Sequence, residues 1–170
     1  MKKIIVYCHG YGSSSKTDKV ERLRAVENSE VVAFDINIDP DVSVLYLMNT
    51  ITDYMLTARM HEEAELVFVG TSLGAWYANI LGNVFRVKTV LINPCYDPKN
   101  MLVKYGVDKE ILNKYSSMIP NDFSEIIIAA DDEVIDYSNF GYEANFVSTG
   151  DHRFNGPEFE KYVVGYLNSI

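Results

Sequence analysis

Gly70-Thr71-Ser72-Leu73-Gly74 spells G-x-S-x-G between an apolar run, Leu66 to Val69, and a helical one, Ala75 to Leu81. A serine on so tight a strand-to-helix turn is pushed into the open, and flanking glycines spare it collisions with the neighbouring strand and helix. The chemistry would be attack of the Ser72 hydroxyl on an acyl carbonyl, which needs a base to take its proton and an acid to orient the base. The chain has three histidines, His9, His61 and His152. His61 stands in the polar end of a predicted helix and reads as a solvated surface residue. His9 precedes the serine and ends the first predicted strand. His152, in Gly150-Asp151-His152-Arg153-Phe154, falls between the last strand and the last helix and completes the order Ser, Asp, His. We read it as the general base.

The acid should end a strand between these two. Asp131 and Asp132 both follow Ile126 to Ala130; Asp132 is preferred because Asp132-Glu133-Val134-Ile135 gives an acid, a spacer and an apolar return into a helix. Asp131 and Asp97 stay open as alternatives, and Asp136 reads as a first-turn helix residue. Oxyanion donors are expected from backbone: the Leu73 amide at a helix N-terminus, and the Tyr11 amide in His9-Gly10-Tyr11-Gly12. That loop lacks G-x-G-x-x-G and a P-loop lysine, so nucleotide binding is disfavoured. Ser13, Ser14, Ser15 and Lys16 are expected to cap the next helix.

These side chains need a scaffold, and 170 residues at 48% hydrophobic content suffice for one core and one domain, 1–170. Apolar runs are predicted as strands at Ile4 to Cys8, Val31 to Phe34, Leu66 to Val69, Val87 to Ile92, Glu125 to Ala130 and Ala144 to Val147. Helices are predicted at Lys16 to Asn28, Asp41 to about Glu65, after the elbow, and Pro157 to Leu167. Strands alternating with helices, each a continuous apolar run, imply an α/β class: a three-layer, doubly wound, mostly parallel sheet of about six strands. The stretch 94–122, with a short helix expected from Asp108 to Tyr115, reads either as a small substrate cap or as a crossover with a distorted helix. Its Tyr96, Met101, Tyr105, Tyr115 and Met118 would line an acyl pocket or pack as core.

A formal charge of -9 with a pI near 4.7 argues against nucleic acid as a partner and against anionic membranes. The apolar stretch after Met1 is too short for a signal segment, and no run is long enough to span a membrane, so a cytoplasmic location is expected. Cys8 and Cys95 have no paired spacing, so no disulfide framework is expected.

Together, His9-Gly10-Tyr11-x-Ser13-Ser14, Gly70 to Gly74, Asn93-Pro94-x-x-Asp97-Pro98, Asp132 to Tyr137 and Gly150 to Phe154 resemble the α/β-hydrolase superfamily, and more closely the small bacterial YqiA-type serine esterases. The resemblance runs the length of the chain. It implies a compact hydrolase with Ser72, Asp132 and His152 as triad, an oxyanion hole at Tyr11 and Leu73, no cofactor or metal, and small acyl esters or thioesters as substrates. Asp131 stands where a glycine or small residue is usual before the acid. Other functions on the same scaffold would be a non-catalytic binding module, or an acyltransferase or amidase using the same triad.

Overall fold

The computed structural model describes residues 2–59, 64–147 and 149–170. Its strands are β1 (Lys2–Cys8), β2 (Ser29–Phe34), β3 (Ala64–Thr71), β4 (Thr89–Ile92), β5 (Ser124–Ala129) and β6 (Asn145–Val147). They form one sheet of order β2-β1-β3-β4-β5-β6, every neighbouring pair parallel. Side chains of a strand alternate between faces, so two apolar layers are expected on a doubly covered sheet. Ile4, Val6, Leu66, Phe68, Ile126 and Ile128 join the core on one face. Ile5, Tyr7, Val67, Val69, Ile127 and Ala129 join the core on the other.

The first core is closed by α2 (Pro40–Arg59) and α3 (Leu73–Phe85), the second by α1 (Asp18–Leu23) and the C-terminal helical stretch. That stretch runs as α6 (Pro157–Phe159), a π-helical turn over Glu160–Val164, and α7 (Gly165–Ser169). Pro40 opens α2 at a position where its missing N–H costs nothing. The helix ends earlier than its periodicity predicts: residues 60–63 lie outside the described residues, and Glu65 is already in β3. α1 is also shorter than expected, and its N-cap is Thr17 rather than the serine run, whose Ser14 instead accepts the Lys16 N–H.

Between β4 and β5 the chain forms α4 (Pro98–Leu102), a 3-10 turn at Val103–Tyr105 and α5 (Lys109–Leu112). This segment is sewn to α3. Trp76 Nε1 donates to the Ser116 carbonyl at 2.8 Å, Asn79 to Ile119 at 3.0 Å, and the hydroxyls of Tyr77 and Tyr115 meet at 3.0 Å. Tyr115 and Met118 are buried core residues, so packing accounts for them. The helix expected after Asp132 does not form; residues 130–144 are a loop. Side chains capture its backbone instead: Asp132 accepts from Val134 and Ile135, Asp136 accepts from Ser138, and Tyr96, Tyr137, Phe140 and Tyr142 pack ring against ring. Asp136 therefore serves a turn, not a helix dipole. No described helix is long and apolar enough to cross a membrane.

Candidate active site

Parallel strands all point their carboxyl ends the same way, and the strand order reverses between β1 and β3, which is where open α/β sheets gather ligands. Ser72 leaves β3 there. Its backbone has φ 54 and ψ -121, a left-handed conformation that is strained for a residue with a side chain and costs on the order of 1–3 kcal/mol. The surrounding glycines show why the turn can be so tight. A Cβ on Gly74 would lie 2.0 Å from the Cys8 carbonyl oxygen, and one on Gly70 would lie 2.3 Å from that of Gly74. The Ser72 N–H is fixed by the Ile92 carbonyl and its own carbonyl accepts from Ala75 and Cys95.

The Ser72 hydroxyl meets His152 Nε2 at 3.0 Å. On the far side of the ring, Nδ1 lies 3.0 and 2.8 Å from the two carboxylate oxygens of Asp132. Asp132 thus carries its proton acceptor into a pocket where only 2% of its side chain is exposed. Burial alone would raise its pKa. The donated bonds from His152, Ile135 and Val134 outweigh it and hold the carboxyl below its ordinary value. Tyr137 faces the same carboxylate, and burial together with that charge pushes its phenol far above the usual range.

The alternative acids lie elsewhere. Asp97 caps α4, accepting from the Asn100 backbone and side chain at 3.3 and 2.5 Å, and Asp131 is exposed. His61 lies outside the described residues. His9 is buried, with Nδ1 at 2.8 Å from the Gly10 carbonyl and Nε2 at 3.0 Å from the Ile36 N–H. Because an N–H can only donate, Nε2 offers its lone pair and Nδ1 carries the proton, which pins the loop after β1 to the exit of β2. Gly10 in that loop packs on Ser72, where a Cβ would sit 3.3 Å from the serine Cβ. Among the described residues, the Tyr11 and Leu73 N–H groups donate to no turn, loop or side-chain acceptor. The Tyr11 ring packs against Tyr105 at a tilt of 38°, centroids 5.3 Å apart.

The side chain that ties these parts together is one the sequence offers only within the Asn93-Pro94 motif, with no role of its own. Asn93, fully buried with φ 43 at the end of β4, donates through Nδ2 to the carbonyls of Asp151 at 3.1 Å and His152 at 3.0 Å. Its Oδ1 accepts the Ala129 N–H at 2.7 Å. One amide thereby clamps the histidine loop to the end of β5, next to the acid. Glu133 adds a second brace, accepting the His152 N–H at 3.0 Å. A polar residue directly after an apolar strand, in an Asn-Pro pair, was the available signal.

Comparison with known proteins gives this arrangement a family. Residues 4–118, more than half of the chain, match the model described as Uncharacterised protein family (UPF0227). The chain belongs to UPF0227. A UPF0227 protein of Shewanella woodyi is 25% identical over 142 residues, 78% of either chain. Another, from Shewanella loihica, is 26% identical over 143 residues, covering 78% of this chain and 77% of its own. Among solved structures, this UPF0227 protein resembles mouse alpha/beta hydrolase domain-containing protein 10, with TM-score 0.68 at 13% identity over 98% of this chain and 88% of that one. Est1E from Butyrivibrio proteoclasticus gives TM-score 0.66 at 12% identity, covering 99% and 86%. The UPF0227 chain described here therefore has the compact α/β-hydrolase fold.

Proposed function

We propose that this protein is a serine hydrolase that cleaves small carboxylic esters or thioesters through an acyl-enzyme on Ser72. The observation that carries the reading is the continuous chain from the Ser72 hydroxyl through His152 to the buried Asp132, launched from a strained serine. In the first step His152 Nε2 takes the hydroxyl proton as Ser72 Oγ bonds to the acyl carbon. The ester C–O or C–S bond then breaks, and the same proton passes to the departing oxygen or sulfur. Asp132 holds the imidazole with its proton on Nδ1 and stabilises the imidazolium. The unengaged N–H groups of Leu73 and Tyr11 bind the oxyanion, each worth about 3 kcal/mol in the transition state by analogy with other oxyanion donors. Water, activated by His152, releases the acyl group.

The α/β-hydrolase fold, shared with neighbours that include Est1E from Butyrivibrio proteoclasticus, solved with ferulic acid bound, supports this class of reaction. Tyr115 and Met118 are used as core, which favours small soluble substrates over long acyl chains. A fluorophosphonate probe should label the protein at Ser72, and Ser72→Ala should remove the label. A folded wild-type protein that takes no label would point instead to a non-catalytic binding module. Graded p-nitrophenyl and coenzyme A esters then rank acyl length and separate ester from thioester.

A further inference from the structure

The hydroxyl of Ser72 opens into a cavity of about 470 Å³ whose other wall includes Thr17, Lys19, Arg153 and Asn155. In a chain of net charge -9 this wall is unusual, because it carries two cations. Its one acid, Asp18, is paired with Arg22 at 2.6 Å. Lys19 is half-buried, and Nζ is held at 2.7 Å by Asn155 Oδ1, a neutral acceptor. Asp18 and Asp151 lie near enough to favour its charge, but burial dominates, Arg153 and Arg22 oppose, and the amine is lowered to about 8. Arg153 is exposed and makes no ion pair among the described residues. Thr17 Oγ1, buried on the same wall, lies beside the Tyr7 hydroxyl. Two cations, neither of them ion-paired among the described residues, line one side of a cavity that begins at Ser72.

The chemistry fixes which part of a substrate meets them. The proton taken from Ser72 must reach the departing atom from His152 Nε2, so the leaving arm runs past the imidazole. Arg153 follows His152 directly in the chain, Asn155 comes two residues later, and both line the same cavity as His152. We propose that Lys19 and Arg153 form a subsite for an anionic leaving arm, a carboxylate or phosphate borne by the alcohol or thiol of the substrate. The proposal rests on the serine-hydrolase reading above. Charge-assisted bonds to a half-buried ammonium and a guanidinium would select such arms over neutral ones.

The test holds the acyl group constant and varies the arm. 4-Acetoxyphenylacetate, 2-(4-acetoxyphenyl)ethyl phosphate, the neutral amide of the first, and the cationic O-acetyltyramine release similar phenols, whose absorbance reports kcat/KM. The wild-type protein should prefer an anionic arm over the amide by about tenfold and disfavour the amine. The two anionic arms decide between carboxylate and phosphate. Lys19→Gln and Arg153→Gln should each reduce the anionic-to-neutral ratio, and Arg153→Glu should invert the order of the charged arms. Equal kcat/KM for all arms, or a preference that survives these substitutions, would overturn the subsite. Fluorophosphonate labelling of Ser72 run alongside separates the two failures: label without charge preference sinks only the subsite, and no label sinks the hydrolase reading with it.

Discussion

Asp132 is a carboxylate whose burial is offset by donors on two sides, the His152 ring and the backbone N–H groups of Val134 and Ile135. Removing its charge while keeping its shape should therefore reveal its role. Asp132→Asn is expected to lower kcat by about 10⁴-fold, by analogy with other Ser-His-Asp sites, while Asp131→Asn and Asp97→Asn change it little. Steady-state kinetics of the three variants decide the acid, and a comparable loss in the Asp97 variant would sink the assignment. The same carboxyl predicts acid behaviour. Its folded pKa lies below the unfolded value near 3.9, so its contribution to stability is complete above that value and is lost as pH falls through the lower, folded one. Urea unfolding of wild type should thus weaken below about pH 4 more steeply than that of Asp132→Asn.

At the scale of elements, Asn93 is a rivet between the ends of β4 and β5 and the histidine loop. Asn93→Ala leaves the carbonyls of Asp151 and His152 and the Ala129 N–H without their partner, and should cost about 2–3 kcal/mol in denaturant unfolding. It should also lower kcat more than it raises KM, because it loosens the base rather than the pocket. Gly74→Ala tests the elbow: with the new methyl forced onto the Cys8 carbonyl, the chain should lose about 3 kcal/mol or more, or fail to fold. The elements themselves were legible where periodicity and glycine spacing carry local information. β3, the elbow and α3 follow from residues adjacent in sequence, as does the alternation that yields a parallel sheet. Asn93 was not legible, because its partners stand 36, 58 and 59 positions away. The segment after Asp132 forms a loop where a helix is expected for a related reason: side-chain captures of backbone N–H groups and an aromatic cluster override the local helical pattern.

For the whole molecule, the net charge of -9 and the cationic wall beside Ser72 pull in opposite directions. A half-buried ammonium is a burden on the fold. With a folded pKa near 8 against an ordinary value of 10.5, Lys19 binds fewer protons folded than unfolded between those limits, so stability rises with pH across that window. Below it, the cost is fully present. Lys19→Met should therefore raise stability at pH 7 by about 1 kcal/mol or less, after allowance for partial exposure, and the gain should vanish by about pH 10.5. Thermal melts at both pH values check this. A variant that is destabilised at neutral pH would mean the ammonium is better satisfied than its single neutral acceptor implies.

The strand order β2-β1-β3-β4-β5-β6 has one more consequence. Ser72, Asp132 and His152 all enter after β3 has been laid down, whereas Tyr11, Thr17 and Lys19 belong to the first crossover, on the other side of the reversal. The cavity wall beside Ser72 is thus assembled from two separate stretches of chain, Lys19 from the first and Arg153 from the last. Under the proposed reading, rewriting Thr17 and Lys19 should shift the preference among leaving arms while the relay of Ser72, His152 and Asp132 stays untouched.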